Sequence, residues 1–255
     1  MIPHQDAFNW IIAPAGNCVE YIQRETVDAA VINRAVINLE GMRVFIDVVR
    51  LQFIANGKPV EGLDALLAEQ DLHEHKAREI VRSDFANINA HALVGLWSAI
   101  EVAVEDTVVL ILMKDARSQQ ELRNSGFKFK KHFTGSTLEE GPARSLAGAV
   151  FKQARNGRGL SESYVFVLQS LGLNVHVDES TCRRMNETSY IRNCILHRGG
   201  IVDQKVHQLA PGLAEHENQE FLITRSRFQN YHEALGTFSV ELLRAATKSR
   251  YIRIK

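Results

Sequence analysis

A chain of 255 residues is long enough to form one large domain or two small ones. Its 45% apolar and 24% charged content is that of a folded protein and argues against disorder. Thirty basic residues balance thirty acidic ones. This excludes a protein that coats nucleic acid through a general surplus of cations, although not one with a local basic patch.

Five prolines in this length favour long helices over a many-turned β fold, so the expected class is all-α. From Val19 to about Ala55 apolar residues recur at helical spacing: Val27, Val31, Ala35, Leu39, Met42, Phe45, Val49 and Phe53. Asn56-Gly57, with Pro59, ends this first helix. Leu63 to Leu72 reads as a short second helix. His75 to Lys114 then reads as one long helix marked by Val81, Phe85, Ile88, Ala92, Leu96, Ile100, Val104 and Ile111. Residues 115–135 are the least helical part, with Gly126, Gly135 and the alternating Phe127-Lys128-Phe129-Lys130.

Helices resume at Leu138–Ala154, ended by Asn156-Gly157, and at Ser161–Leu171, ended by Gly172. A further helix, Glu179–Arg198, ends at Gly199-Gly200. A loop with Pro211-Gly212 follows, then a short strand at Phe221–Thr224 and a closing helix from about Ser226 to Thr247. The expected organisation is an N-terminal helical extension, residues 1–77, followed by a helical bundle, residues 78–255; one continuous domain is the alternative.

Cys18, Cys182 and Cys194 are few, odd in number and not spaced as metal pairs, which fits reduced thiols. His73, His75 and His91 lack the spacing of a ligand set, so neither metal nor other cofactor is expected. The N-terminal residues lack a signal-peptide layout, and the longest dense apolar run, Val108 to Met113, is too short to span a bilayer. The expectation is a cytoplasmic protein with no membrane association.

The segment that carries chemistry is Arg192-Asn193-Cys194-Ile195-Leu196-His197. Cys182, Met185, Ser189, Arg192 and Leu196 lie along one helical stripe, so Arg192 interrupts a face expected to be buried. A guanidinium there needs a carboxylate or a ligand, and Glu101 is the candidate carboxylate. Asn193 and His197, four apart, share the adjacent face. The two glycines after Arg198 cap the helix and leave room for a phosphate to approach.

This segment resembles the motif of the HEPN domains (higher eukaryotes and prokaryotes nucleotide-binding), a family that includes many metal-independent RNases of toxin and anti-phage systems. Ile191 to Gly200 fits the family's Arg-polar-x3-His pattern and its glycine follow-on. Trp97 and Glu101, an aromatic and a carboxylate one turn apart on an earlier helix, also match many members, as does the closing helix. The likeness covers roughly residues 78–250, and the first hundred residues match no pattern.

The resemblance implies a HEPN-like helical bundle and a homodimer in which two motifs face each other to cleave RNA, acting as a toxin or defence effector with an antitoxin partner. In that reading His197 is the general base, Arg192 steadies charge on the phosphoryl oxygens and Asn193 orients the phosphate or the imidazole. Glu101 supports Arg192. The alternative is a catalytically silent module that binds a nucleotide or a partner.

Arg198, Lys128, Lys130 and Lys131 are further candidates for contacting RNA, the lysines because bases interleaved with phenylalanines suit stacking on single strands. Strict alternation favours instead a short strand with its phenylalanines in the core and its lysines in water.

Overall fold

The computed structural model describes residues 10–129 and 136–252. The described residues are 76% helical and contain no strand, so the all-α expectation holds. The elements are α1 (Ala13–Ala55), α2 (Glu61–Arg82), α3 (Ala86–Lys114), α4 (Ser118–Asn124), α5 (Glu140–Ala154) and α6 (Leu160–Ser170). They continue with α7 (Glu179–Arg198), α8 (Val206–Leu209), a 3-10 turn at Pro211–His216 and α9 (Arg225–Thr247). Residues 221–224, read from sequence as a strand, form none; one isolated antiparallel bridge joins Ile201 to Glu220. No helix among the described residues is long and apolar enough to cross a membrane.

The chain divides into two compact units, one of residues 1–23, 93–221 and 229–255, the other of residues 24–92 and 222–228. The boundary expected near residue 77 falls inside α2.

In the smaller unit, α1 stops where the sequence indicates. Gly57 adopts φ 65°, its N–H reaches the Ile54 carbonyl at 3.0 Å, and the next N–H, of Lys58, reaches the Phe53 carbonyl at 2.9 Å. A left-handed residue after the helix thus satisfies the last free carbonyls. α2 runs antiparallel to α1, since Gln70 donates to the Leu39 carbonyl at 2.9 Å while Val36, earlier on α1, packs in one cluster with Ala77, later on α2. The face that α1 buries here holds Ala29 and Val36, and of the stripe read from sequence Leu39 packs against it while much of the rest is turned outward. Val27, Val31, Ala35, Met42 and Phe45 are exposed.

The long helix expected from His75 to Lys114 is broken at Ser83–Phe85. Asp84 and Phe85 take φ 53° and 62°, and the N–H of Phe85 bonds the Ile80 carbonyl at 2.9 Å, the same closing device as at Gly57 but without a glycine. Tertiary contacts hold it. The Asp84 carboxylate accepts from the Arg225 backbone N–H at 2.9 Å and from its guanidinium. Asn89 donates to the carbonyls of Asp84 and Ile223. Phe85 is fully buried beside Val36 and Ala77.

In the larger unit α3 is buried along most of its length, through Leu93, Leu96, Trp97, Ile100, Val104, Val108, Ile111 and Leu112. Trp97 stacks on Tyr164 of α6, with ring centroids 6.4 Å apart, and Tyr164 meets Phe151 of α5 edge-on at 5.5 Å. α7 is started by Asp178, whose carboxylate accepts from the Thr181 N–H at 2.7 Å, and is ended by Gly199 at φ 60°. Its buried residues advance in steps of three, Cys182, Met185, Thr188, Ile191 and Cys194. The stripe expected from sequence follows this line only through Met185. Arg192 lies at its edge and Leu196 is exposed.

Candidate functional site

α3 and α7 bring Glu101 and Arg192 together. The Arg192 Nη2 lies 3.6 Å from the Glu101 Oε2, with the two side chains 27% and 33% exposed. Arg192 also donates from Nη1 to the Asn193 Oδ1 at 3.1 Å. Its Nε is buried without a hydrogen-bond partner. A guanidinium has five N–H groups, and an unmatched buried donor costs about 1–3 kcal/mol. The arginine is therefore held in place with bonding capacity left over.

The pair opens into a cleft of about 780 Å³ that also takes in Glu105, Lys152, Arg155 and Tyr164. Burial, and then the nearby Glu101 carboxylate, push the Tyr164 hydroxyl above its ordinary range, while Arg155 pulls the other way. Tyr164 thus stays a neutral phenol in the cleft wall.

His197 stands elsewhere. It is exposed and lines a second cleft, of about 360 Å³, with Asn193, Tyr190, Arg198, Asp203 and Lys205. Five residues along a helix turn the side chain through roughly 140° from the start, which is why Arg192 and His197 diverge. Asn193 is the link. It bonds Arg192, shares the cleft of His197, and also lines a third cleft, of about 530 Å³, with Arg155, Arg158 and Gln208.

Of the other sequence candidates, Arg198 is engaged with Asp203 at 2.5 Å. That carboxylate also accepts from the Tyr190 hydroxyl at 2.8 Å. The Tyr190 bond first, and Arg198 after it, hold the Asp203 carboxyl below the usual carboxylate range. Lys128 is exposed, and its backbone N–H and carbonyl are both clasped by the Gln153 amide at 2.9 Å. Phe127 is buried against Phe166 with centroids 5.4 Å apart, so the core reading of the alternating segment holds at that residue. Lys130 and Lys131 lie outside the described residues. The three cysteines are free and buried, and burial raises each thiol, Cys18 to about 12.

Sequence reasoning passed over Lys152, Arg155, Arg158 and Tyr164. A signal existed in Arg155-Asn156-Gly157-Arg158-Gly159, where two arginines flank the turn that ends α5. The chain was compared with protein-family models, with curated proteins and with solved structures, and none of the three found a match.

Proposed function

We propose that the chain is a metal-independent endoribonuclease of the HEPN type, acting as a homodimer in which the α7 helices of two copies face each other. The observation that carries this reading is the position of Asn193, bonded to Arg192 at 3.1 Å and sharing a cleft with an exposed His197. One chain directs Arg192 and His197 into different clefts, so this reading requires a second copy to bring the two kinds of group to one phosphate. The exposed Leu196 and Ile201, on either side of the motif's end, offer apolar surface for that pairing.

In the reaction, His197 takes the proton of a ribose 2′-hydroxyl, whose oxygen attacks the adjacent phosphorus. Arg192 stabilises the charge that grows on the non-bridging oxygens. The bond to the 5′-oxygen breaks and that oxygen picks up a proton, leaving a 2′,3′-cyclic phosphate and a 5′-hydroxyl. Arg155 and Arg158, in the cleft that Asn193 also lines, are placed to hold neighbouring phosphates.

The test is cleavage of end-labelled single-stranded RNA in the presence of EDTA. Wild type is expected to cut and to leave cyclic ends, and a substrate with hydrogen in place of the attacked 2′-hydroxyl stays intact. His197→Ala is expected to lose two to four orders of magnitude in rate, roughly what removal of a general base costs, while keeping its melting temperature. Intact RNA with wild type, or undiminished cutting by His197→Ala, rejects the reading.

The second reading is a non-cleaving binding module. The divergence of Arg192 and His197 within one chain, and the engagement of Arg192 with Glu101, favour it. It is distinguished by RNA or nucleotide binding without turnover.

A further inference from the structure

α1 carries ten large apolar side chains that are between 44% and 69% exposed, from Val27 to Ile54. Single exposed hydrophobics are ordinary, but ten along one helix are more than a monomer ordinarily leaves in water, and five of the ten share one line along it.

Their spacing narrows the occupant. Val27, Ile37, Val44, Val48 and Leu51 fall on a repeat of seven, separated by alternating steps of three and four once Ala30, Arg34 and Gly41 are included. This is the seam of a helix that packs along another helix over its whole length, and it spans roughly 40 Å at 1.5 Å per residue. It lies away from the side of α1 that buries Ala29 and Val36.

We infer that the occupant is a second copy of this chain, with the two α1 helices packed antiparallel about a twofold axis. In that register Val27 meets Leu51 of the second copy, Ala30 meets Val48, and Arg34 lies level with Val44. Small residues thus oppose larger ones, and the same layers recur on both sides of the axis, as an isologous interface requires.

Charge selects the same occupant. Arg34 is exposed in the apolar seam and has no ion-pair or hydrogen-bond partner among the described residues. One turn beyond Val44 stands Asp47, 47% exposed and, among the described residues, paired with Arg43 at 3.6 Å. The antiparallel pairing brings Arg34 of each copy to Asp47 of the other, giving two symmetric ion pairs that fix the register.

A lipid surface would ask for a cationic flank. Residues 24–55 carry four arginines (Arg24, Arg34, Arg43, Arg50) and four acids (Glu25, Asp28, Glu40, Asp47), which leaves no net charge.

This interface is separate from the one proposed at α7 and does not rest on the nuclease reading. The experiment is sedimentation equilibrium of the full chain at micromolar concentration, for wild type and for the double variant Val44→Glu/Leu51→Glu. The variant is expected to show half the wild-type mass with an unchanged circular dichroism spectrum, because both side chains are exposed in the single chain. A monomeric wild type overturns the inference, and so does a variant that keeps the wild-type mass, which would leave α7 as the dimer contact.

Direction is read by oxidative cross-linking. Val27→Cys mixed with Leu51→Cys is expected to give a disulfide-linked pair, while neither variant links to itself. Self-linking of Val27→Cys would mean parallel helices and reject the register.

Discussion

Arg192 on α7 meets Glu101 on α3 at 3.6 Å, at the edge of the buried face and not inside it. Both partners retain about a third of their exposure, so water screens the pair and its contribution is modest. A double-mutant cycle with Glu101→Gln and Arg192→Met, followed by urea unfolding, is expected to give a coupling of about 0.5–1 kcal/mol. A coupling above about 3 kcal/mol would place the pair in a buried setting that the geometry does not describe. If Arg192 serves the phosphate, Glu101→Gln is expected to slow RNA cleavage less than Arg192→Met does.

Phe85 is fully buried while holding φ 62°, next to Asp84 at φ 53°. Phe85→Ala removes a large core side chain without relieving the backbone, since alanine shares the same penalty at positive φ. Urea denaturation is expected to show a loss of about 3–5 kcal/mol, in the range of other buried phenylalanine truncations. A loss below about 1 kcal/mol would mean that the break between α2 and α3 does not depend on this anchor.

Asp178 caps α7, and its bonds to Ser180 and to the Thr181 N–H bring its carboxyl down from 3.8 to about 2. A carboxyl lowered on folding stabilises the protein fully above its unfolded value, and the gain is lost as pH falls through the folded one. Asp178→Ala is therefore expected to melt below wild type at neutral pH, with the gap closing between about pH 4 and 2. Asp178→Asn keeps an acceptor for the helix N–H groups and is expected to stay close to wild type at neutral pH. A gap for Asp178→Ala that does not change with pH, followed by thermal melts across that range, would show that the charge plays no part.

Much of the fold was legible because its signals are local. Asn56-Gly57, Asn156-Gly157, Gly172 and Gly199-Gly200 each end a helix where a left-handed residue is wanted, and glycine is the residue that adopts it freely. The long apolar spacing of α3 belongs to the same class. The break at Ser83–Phe85 was hard to read because Ser83-Asp84 is a weak turn signal without glycine or proline, and Phe85 is none. Asp84 and Phe85 hold positive φ only through Arg225 and Asn89 and through the burial of Phe85, and Arg225 lies far along the chain.

The sequence by itself determined that the chain is helical, where most helices stop, and that Arg192 would need a carboxylate or a ligand, with Glu101 a candidate, since a guanidinium on a face expected to be buried requires one. Only the tertiary structure decided which way the helices turn. It set Arg192 and His197 into separate clefts, added Arg155 and Tyr164 to the first of them, and left the seam of α1 facing outward. Periodicity shows that a helix has an apolar side, but which side is covered depends on the helices that pack against it, and those contacts join residues far apart in sequence.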